Sequence, residues 1–412
     1  MAPNLRSAPV AHSVPEVAHS VSEIERALAH IWAGAAAPRA DEGARKADEG
    51  EHHVAARSSV LNLVVVAGLR ETAERCSATI AATAGRHPSR SLILSTVDLD
   101  GPASLDARIE ALSVATPSGT AQSGAETIHV AAHGETGHHL ASIIVPLLVH
   151  DLPVALWWPD DPQFRSHRAD RLLPIADRLI VDGSSWSGDG LDRLDAMARV
   201  AQDQRLVVAD FALLRQDRWR EALASVYDLP DLRPHLRVLR SITVEYAALR
   251  DGDPAGLTNI VRPVYHVAWL ASRLRMSVVL PLVRGADGRR TATLRQRDHP
   301  VAIELRPVHS DLAEGSTVRV EIVSRLRGAE LVGDVAAGDR TVDVAIHDRG
   351  RERVRRTYVA PRLGDVDLLE RALEEGAGDS VASEALAMAG RLIVAEPTPP
   401  GAVEGRASRD DD

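Results

Sequence analysis

Cysteine is nearly absent from this chain of 412 residues, where Cys76 stands alone. A lone Cys excludes an internal disulfide, a dithiol switch and a Cys-rich metal site, and it fits a reducing cytoplasm. Aromatics are scarce too, at 3%, with six Trp, four Tyr and two Phe. No apolar run reaches the roughly 18 to 20 clean residues of a membrane helix. The longest, Leu140 to Trp158, is broken by Ser142, Pro146, His150, Asp151 and Pro153. MAPNLRSAPVAHSVPEVAHS holds no apolar core of signal-peptide length, so the chain is expected to be cytoplasmic. A long basic run is missing as well, and the formal charge is −10, which argues against nucleic acid or an anionic membrane as partner. A protein or a small metabolite fits better.

What is present is ordinary globular material, 45% hydrophobic and long enough for two cores. VSEIERALAHIWAG places Val21, Ile24, Ala27, Leu28, Ile31 and Trp32 on one helical stripe, with Ser22 available as N-cap and Gly34 at the end. Ala35 to His53 has charge and small residues but little to bury, and is expected to be a mobile linker. Then VLNLVVVAG, ETAERCSATIAATAG and SLILSTV read as strand, helix and strand. ETIHVAAHG, HHLASIIVPLLVHD, LPVALWW, ADRLIVDGS, LDRLDAMARVAQ and RLVVADF continue the alternation. Continuous apolar strands are the mark of a parallel sheet with helices on both faces. WREALASVYD and LRVLRSITVEYA follow as helix and strand, then GLTNIVRPVYHVAWLASRL as a helix containing Pro263. Seven strand-like runs come next, from SVVLPLV to RERVRRTYVA, and the alternation in VRVEIV and VDVAIH gives an antiparallel sheet with one wet face. DVDLLERALEEG and VASEALAMAGRLIVA close the chain as helices. The expected organisation is an amino-terminal helix and linker (1–57), an α/β domain with a mostly parallel, Rossmann-like sheet (58–230), an α+β domain with a largely antiparallel sheet (231–393) and a disordered tail (394–412).

Candidate chemistry is thin. HGETG, with Gly134 and Gly137, sits between a strand and a helix but is neither GxGxxG nor a phosphate loop. It is an anion-binding candidate, although a strand-to-helix turn needs Gly for geometry alone. His129, His133, His138, His139 and Glu135 lack the one-turn spacing of a zinc motif, so no metal is expected. Asp182, Ser184, Ser185 and Trp186 follow a strand at the carboxyl edge of the sheet, where open α/β folds place ligands. The same Asp suits capping or bracing of the turn, the better-favoured reading. Trp157 and Trp158 are adjacent, so on a strand they face opposite sides, and one needs a second layer or a partner. Arg215, Arg218, Trp219 and Arg220 form a cationic and aromatic patch soon after Asp210, of the composition that dominates interfaces. No Ser lies in a nucleophile elbow, and nucleophilic catalysis has no support.

Six segments in order resemble the OpcA-type glucose-6-phosphate dehydrogenase assembly proteins of bacteria: EIERALAHIW, VLNLVVV, HPSRSLIL (with Ser89 and Arg90), HLASIIVPLLVHDLPVALWWPDD, ADRLIVDGSSW and DFALLRQDRWRE; AWLASRL resembles the helix opening the family's carboxy-terminal half. One departure is Leu213, where the resemblance leads one to expect an inner Trp. The resemblance implies a non-enzyme without cofactor that binds glucose-6-phosphate dehydrogenase as an allosteric activator and supports NADPH supply in the oxidative pentose phosphate pathway. Partner-contact candidates are then Trp157, Trp158, Asp182, Trp186, Asp210, Arg215, Trp219 and Arg220. Gly134, Gly137, Ser89 and Arg90 are the anion candidates. The alternative is an α/β enzyme or sensor that binds a sugar phosphate or nucleotide at the carboxyl end of the sheet.

Overall fold

The computed structural model describes residues 10–11, 16–36, 56–57, 59–97, 99–115, 122–204, 206–248, 258–285, 287–374 and 380–393. The expected linker beyond residue 36 falls outside these, apart from residues 56 and 57, and so does the expected tail. Strands β1 (Val10–Ala11) and β2 (Glu16–Ala18) lead into α1 (Val21–Ala36). Ser20, not Ser22, caps α1, accepting from the Glu23 amide at 3.3 Å, and the helix runs two residues past Gly34.

After β3 (Ala56–Arg57) come β4 (Leu61–Ala67), α2 (Arg70–Thr83), β5 (Ser89–Val97), β6 (Ser104–Ala115), β7 (Gln122–His133), α3 (Leu140–Leu147), β8 (Val154–Trp158), α4 (His167–Leu172), β9 (Arg178–Val181), α5 (Leu191–Gln204), β10 (Val207–Asp210), α6 (Phe211–Leu214) and α7 (Asp217–Tyr227). They build one sheet in the order β1-β6-β7-β5-β4-β8-β9-β10, with β2 beside β6 and β3 beside β7. The run β7-β5-β4-β8-β9-β10 is parallel throughout. Numbered along the chain this is 3-2-1-4-5-6, the doubly wound order. β4 is buried at every residue, as a strand covered on both faces must be. The antiparallel β6 is not among the expected strands, although Leu105, Ala107 and Ile109 alternate with Asp106, Arg108 and Glu110; it pairs with β7 along its whole length.

The two faces of this sheet resolve the Trp pair. Trp158 joins Val64, Leu92, Leu156 and Phe164 in the core under α3 and α5, while Trp157 joins Leu63, Val65, Ile93 and Phe211 in the core under α2. The second layer exists within the chain.

β11 (Leu239–Ala248), α8 (Val261–Arg273), β12 (Ser277–Arg284), β13 (Arg290–Gln296), β14 (His299–His309), β15 (Thr317–Leu326), β16 (Ala329–Ala337), β17 (Thr341–Asp348) and β18 (Arg351–Val359) form the second unit. Its sheet runs β12-β13-β14-β11-β15-β16-β17-β18 and is antiparallel except for the β11–β14 pair. Val301, Ile303, Leu305, Val320 and Ile322 are buried. Their neighbours Glu304, Arg306, Arg319 and Glu321 form an ion-paired ladder that also takes in Glu245 and Asp334. The observed fold is therefore an α/β unit followed by an α+β unit. Two closing helices knit them. α9 (Asp365–Glu374) returns to α2, burying Leu368, Leu369 and Ala372 against Cys76 and Ile80. α10 (Ser380–Leu392) packs between α8 and α5.

Candidate functional site

Asp182 and Asp210 end or follow β9 and β10 at the carboxyl edge of the first sheet. Asp210 is buried and accepts from the amides of Gly183 at 2.9 Å and Ala212 at 2.8 Å, and from the Tyr265 hydroxyl at 2.8 Å. It thereby caps α6 and ties the β9 turn to α8. Burial pushes its carboxyl up to about 6, against the pull of the Gly183 amide and with a further push from the Asp182 charge. Gly183 is required here, because a Cβ would lie 2.7 Å from Asp210 Oδ2 and 2.9 Å from Val261 Cγ1. Asp182 accepts from its own turn, Ser184 N and Oγ, and from Arg215 Nη1 at 2.7 Å. Burial would raise its pKa, but the Arg215 hydrogen bond and charge outweigh that and hold it below the ordinary carboxylate value. Asn259 completes the junction by donating to the carbonyls of Gly183 and Trp186, each at 2.9 Å, and by accepting from Val261 N at the start of α8.

Beside this junction lies a cavity of about 340 Å³. The turn from α6 to α7 supplies Arg215 and Gln216, the first turn of α7 supplies Asp217, Arg218 and Trp219, and α8 supplies Arg262 and His266. The second sheet contributes Thr317 at the start of β15, and its loops contribute Asp339 and Arg362. Trp219 meets the His266 ring edge-on, centroids 5.2 Å apart. Burial, with the nearby charges of Arg220 and Arg262, pushes the His266 imidazole down to about 3, so it is neutral.

The doubly wound order invites a test for a dinucleotide. In that fold the pyrophosphate rests on the helix following the first strand, reached over three glycines. Here the segment is Ala67-Gly68-Leu69-Arg70-Glu71-Thr72-Ala73, with one glycine. The carboxylate of Asp160, from the loop after β8, already occupies the turn, accepting from Gly68 N at 2.6 Å and Thr72 Oγ1 at 3.0 Å. An internal anion stands where the phosphate would bind, so these residues do not fit the cofactor.

Comparison with known proteins places the chain. Two family models, describing the amino-terminal and the carboxy-terminal domain of a glucose-6-phosphate dehydrogenase subunit, match residues 80–202 and 206–386 respectively. The chain belongs to the OpcA family of glucose-6-phosphate dehydrogenase assembly proteins. A protein of Synechocystis sp., provisionally named OxPP cycle protein OpcA, is 26% identical over 140 residues, covering 34% of this chain and 27% of that protein. The match thus spans about a quarter of that relative's length. Among solved structures, YvaA of Bacillus subtilis aligns with 81% of this chain and 94% of its own at 8% identity and a TM-score of 0.42. The super-repressor Gal80p of Saccharomyces cerevisiae aligns with 77% of this chain and 86% of its own at 10% identity and a TM-score of 0.40. Likeness at that level carries nothing about function.

In this OpcA-family chain the structure brings together only part of the expected site. Arg215 and Trp219 line the cavity, Asp182 and Arg220 reach it through their pairs with Arg215 and Asp217, and Asp210 braces the junction beside it. Trp157, Trp158 and Trp186 do not serve as surface anchors, because each is at most 5% exposed and packs within the chain; Phe164 stacks edge-on against both Trp158 and Trp186. Leu213, at the departing position, is also core. Ser89 and Arg90 are not an anion site. They lie buried at the amino edge of the sheet, where Arg90 Nε bonds Glu126 at 2.8 Å and Nη1 bonds the Leu147 carbonyl at 2.8 Å. Gly134 is explained by shape: φ is +52°, and a Cβ would meet the Gly101 carbonyl at 2.3 Å. Gly137 lies buried in the same 3-10 turn. Among the described residues no cluster suited to a metal occurs, and no helix is long and apolar enough to cross a membrane. Sequence reasoning does not single out Arg262, His266, Gln216 or Thr317. The one available signal is a polar pair, Arg262 and His266, spaced i, i+4 in the mostly apolar first half of α8.

Proposed function

We propose that this protein is a non-catalytic assembly factor that binds glucose-6-phosphate dehydrogenase, favours its active state and so supports NADPH supply in the oxidative pentose phosphate pathway of a bacterial cytoplasm. The observation that carries the reading is the pair of family domains spanning residues 80–202 and 206–386. Asp160 seated in the phosphate turn supports the non-catalytic part. A partner without chemistry activates only by binding the active form more tightly, and a tenfold shift takes about 1.4 kcal/mol of differential affinity.

The test titrates the purified protein into the same organism's glucose-6-phosphate dehydrogenase at subsaturating glucose 6-phosphate, alongside size-exclusion chromatography. A saturable rise in activity with co-elution is the expected result. Unchanged activity and separate elution would remove the proposal. Activation is also expected to be indifferent to dithiothreitol, because Cys76 is wholly buried and burial pushes its thiol up to about 12.

A further inference from the structure

The 340 Å³ cavity is cationic in a chain of net charge −10, with Arg215, Arg218, Arg262 and Arg362 in its lining against Asp217 and Asp339. Most of these charges have partners. Asp217 is held by Arg220 and Arg371, Arg215 is bound to Asp182, and Arg218 to Glu221. Arg262 differs, since its two terminal nitrogens donate to the neutral hydroxyls of Ser316 at 3.0 Å and Ser184 at 3.2 Å. Its Nε is buried with no hydrogen-bond partner, and the same holds for Gln216 Oε1, His266 Nε2 and Thr317 Oγ1, all on residues that line this cavity.

A buried polar atom left unmet costs about 1–3 kcal/mol, and four stand in the wall of this one cavity, closed off from its space until their side chains turn toward an occupant. One ordered water, with its share of about 30 Å³, is far too small for the volume. The size matches the lower range of metabolite pockets. The donor set then specifies the chemistry. A guanidinium offering a free N–H selects an oxyanion. A neutral imidazole, a hydroxyl and an amide oxygen select ligand hydroxyls, to which Gln216 Oε1 can only accept.

We propose that this cavity is a binding site for a small polyhydroxylated anion, a sugar phosphate or sugar acid, with its oxyanion on Arg262 and Arg362 and its hydroxyls on Gln216, His266 and Thr317. The site stands between the two units, so an occupant contacts α7 and α8 together with the loops of the second sheet. The inference goes beyond the dehydrogenase partnership and is read on the purified chain alone.

The experiment is calorimetric titration with a thermal-shift series, using glucose 6-phosphate, gluconate and inorganic phosphate as probes and glucose as the neutral control. Saturable binding of at least one anionic probe, with none by glucose, is expected. A response to glucose 6-phosphate or phosphate but not gluconate assigns the phosphate class, and the reverse assigns the carboxylate class. Arg262→Gln should abolish binding. Arg362→Glu, at an exposed position, should weaken it at least about tenfold while leaving the unliganded melting temperature unchanged. Absence of saturable binding by every anionic probe, or equal binding by wild type and Arg362→Glu, would overturn the site.

Discussion

Asp210 and His266 sit within one buried junction and titrate with opposite consequences. The folded pKa of Asp210 is raised to about 6, so the stability its protonation adds is fully present below the unfolded value near 3.9 and is lost as pH rises through about 6. The loss is at most on the order of 3 kcal/mol, about two pKa units at 1.36 kcal/mol each. His266 is depressed to about 3, so its contribution is present above the unfolded value near 6.5 and is lost as pH falls toward 3. The two partly cancel between pH 4.5 and 6.5, so each shows only by difference. Asp210→Asn keeps an oxygen for the Gly183 and Ala212 amides and an amide donor for Tyr265. Its melting temperature should exceed that of wild type at pH 7.5, with the gap closing toward pH 4.5. Asp210→Ala strands three donors and should lower stability by about 1–3 kcal/mol or more at every pH. His266→Phe should retain more of its neutral-pH stability at pH 4.5 than wild type does. Melting curves across that pH range check all three.

At the scale of elements, α9 shows how the carboxy-terminal segment completes the first unit's core. It lays Leu368, Leu369 and Ala372 on the face that holds Cys76, Ile80 and Trp157, and Arg86 bonds Glu370 at 2.6 Å across the contact. Leu369→Ala removes a fully buried side chain and should cost about 2–5 kcal/mol in a denaturant titration. A result below about 1 kcal/mol would mean that α9 is not part of the cooperative core. The helices and strands themselves are legible in the sequence, because each rests on a local period: continuous runs for β4 and β8, alternation for β15 and β17. β6 escapes despite its alternation, since it interrupts an expected βα rhythm with an antiparallel edge strand. The site is far less legible. Arg215, Arg262, Thr317 and Arg362 come from four distant stretches and meet only after both units have packed. The Trp pair misleads for a related reason, since in a sheet covered on both faces adjacent residues are both core.

For the whole molecule, burial of Trp157, Trp158 and Trp186 moves the question of a partner surface outward. The described residues expose eight large hydrophobic side chains, and three of them, Val279, Leu280 and Val283, lie within five positions on β12. β12 is an edge strand, yet Pro281 and the register breaks around Leu280 make it a poor template for continuing the sheet. Its apolar side chains therefore suit side-chain docking better than strand addition, and a cluster of this kind is where a partner surface is sought first. Given the dehydrogenase partnership proposed above, Leu280→Asp and Val283→Asp should each reduce co-elution and activation by about tenfold or more, equivalent to about 1.4 kcal/mol. Since both side chains are 59% exposed, the melting temperature should stay within about 2 °C of wild type. Retained activation in the double variant would move the contact off this edge. A collapse in melting temperature would show instead that β12 is held by its side chains and is not free to dock.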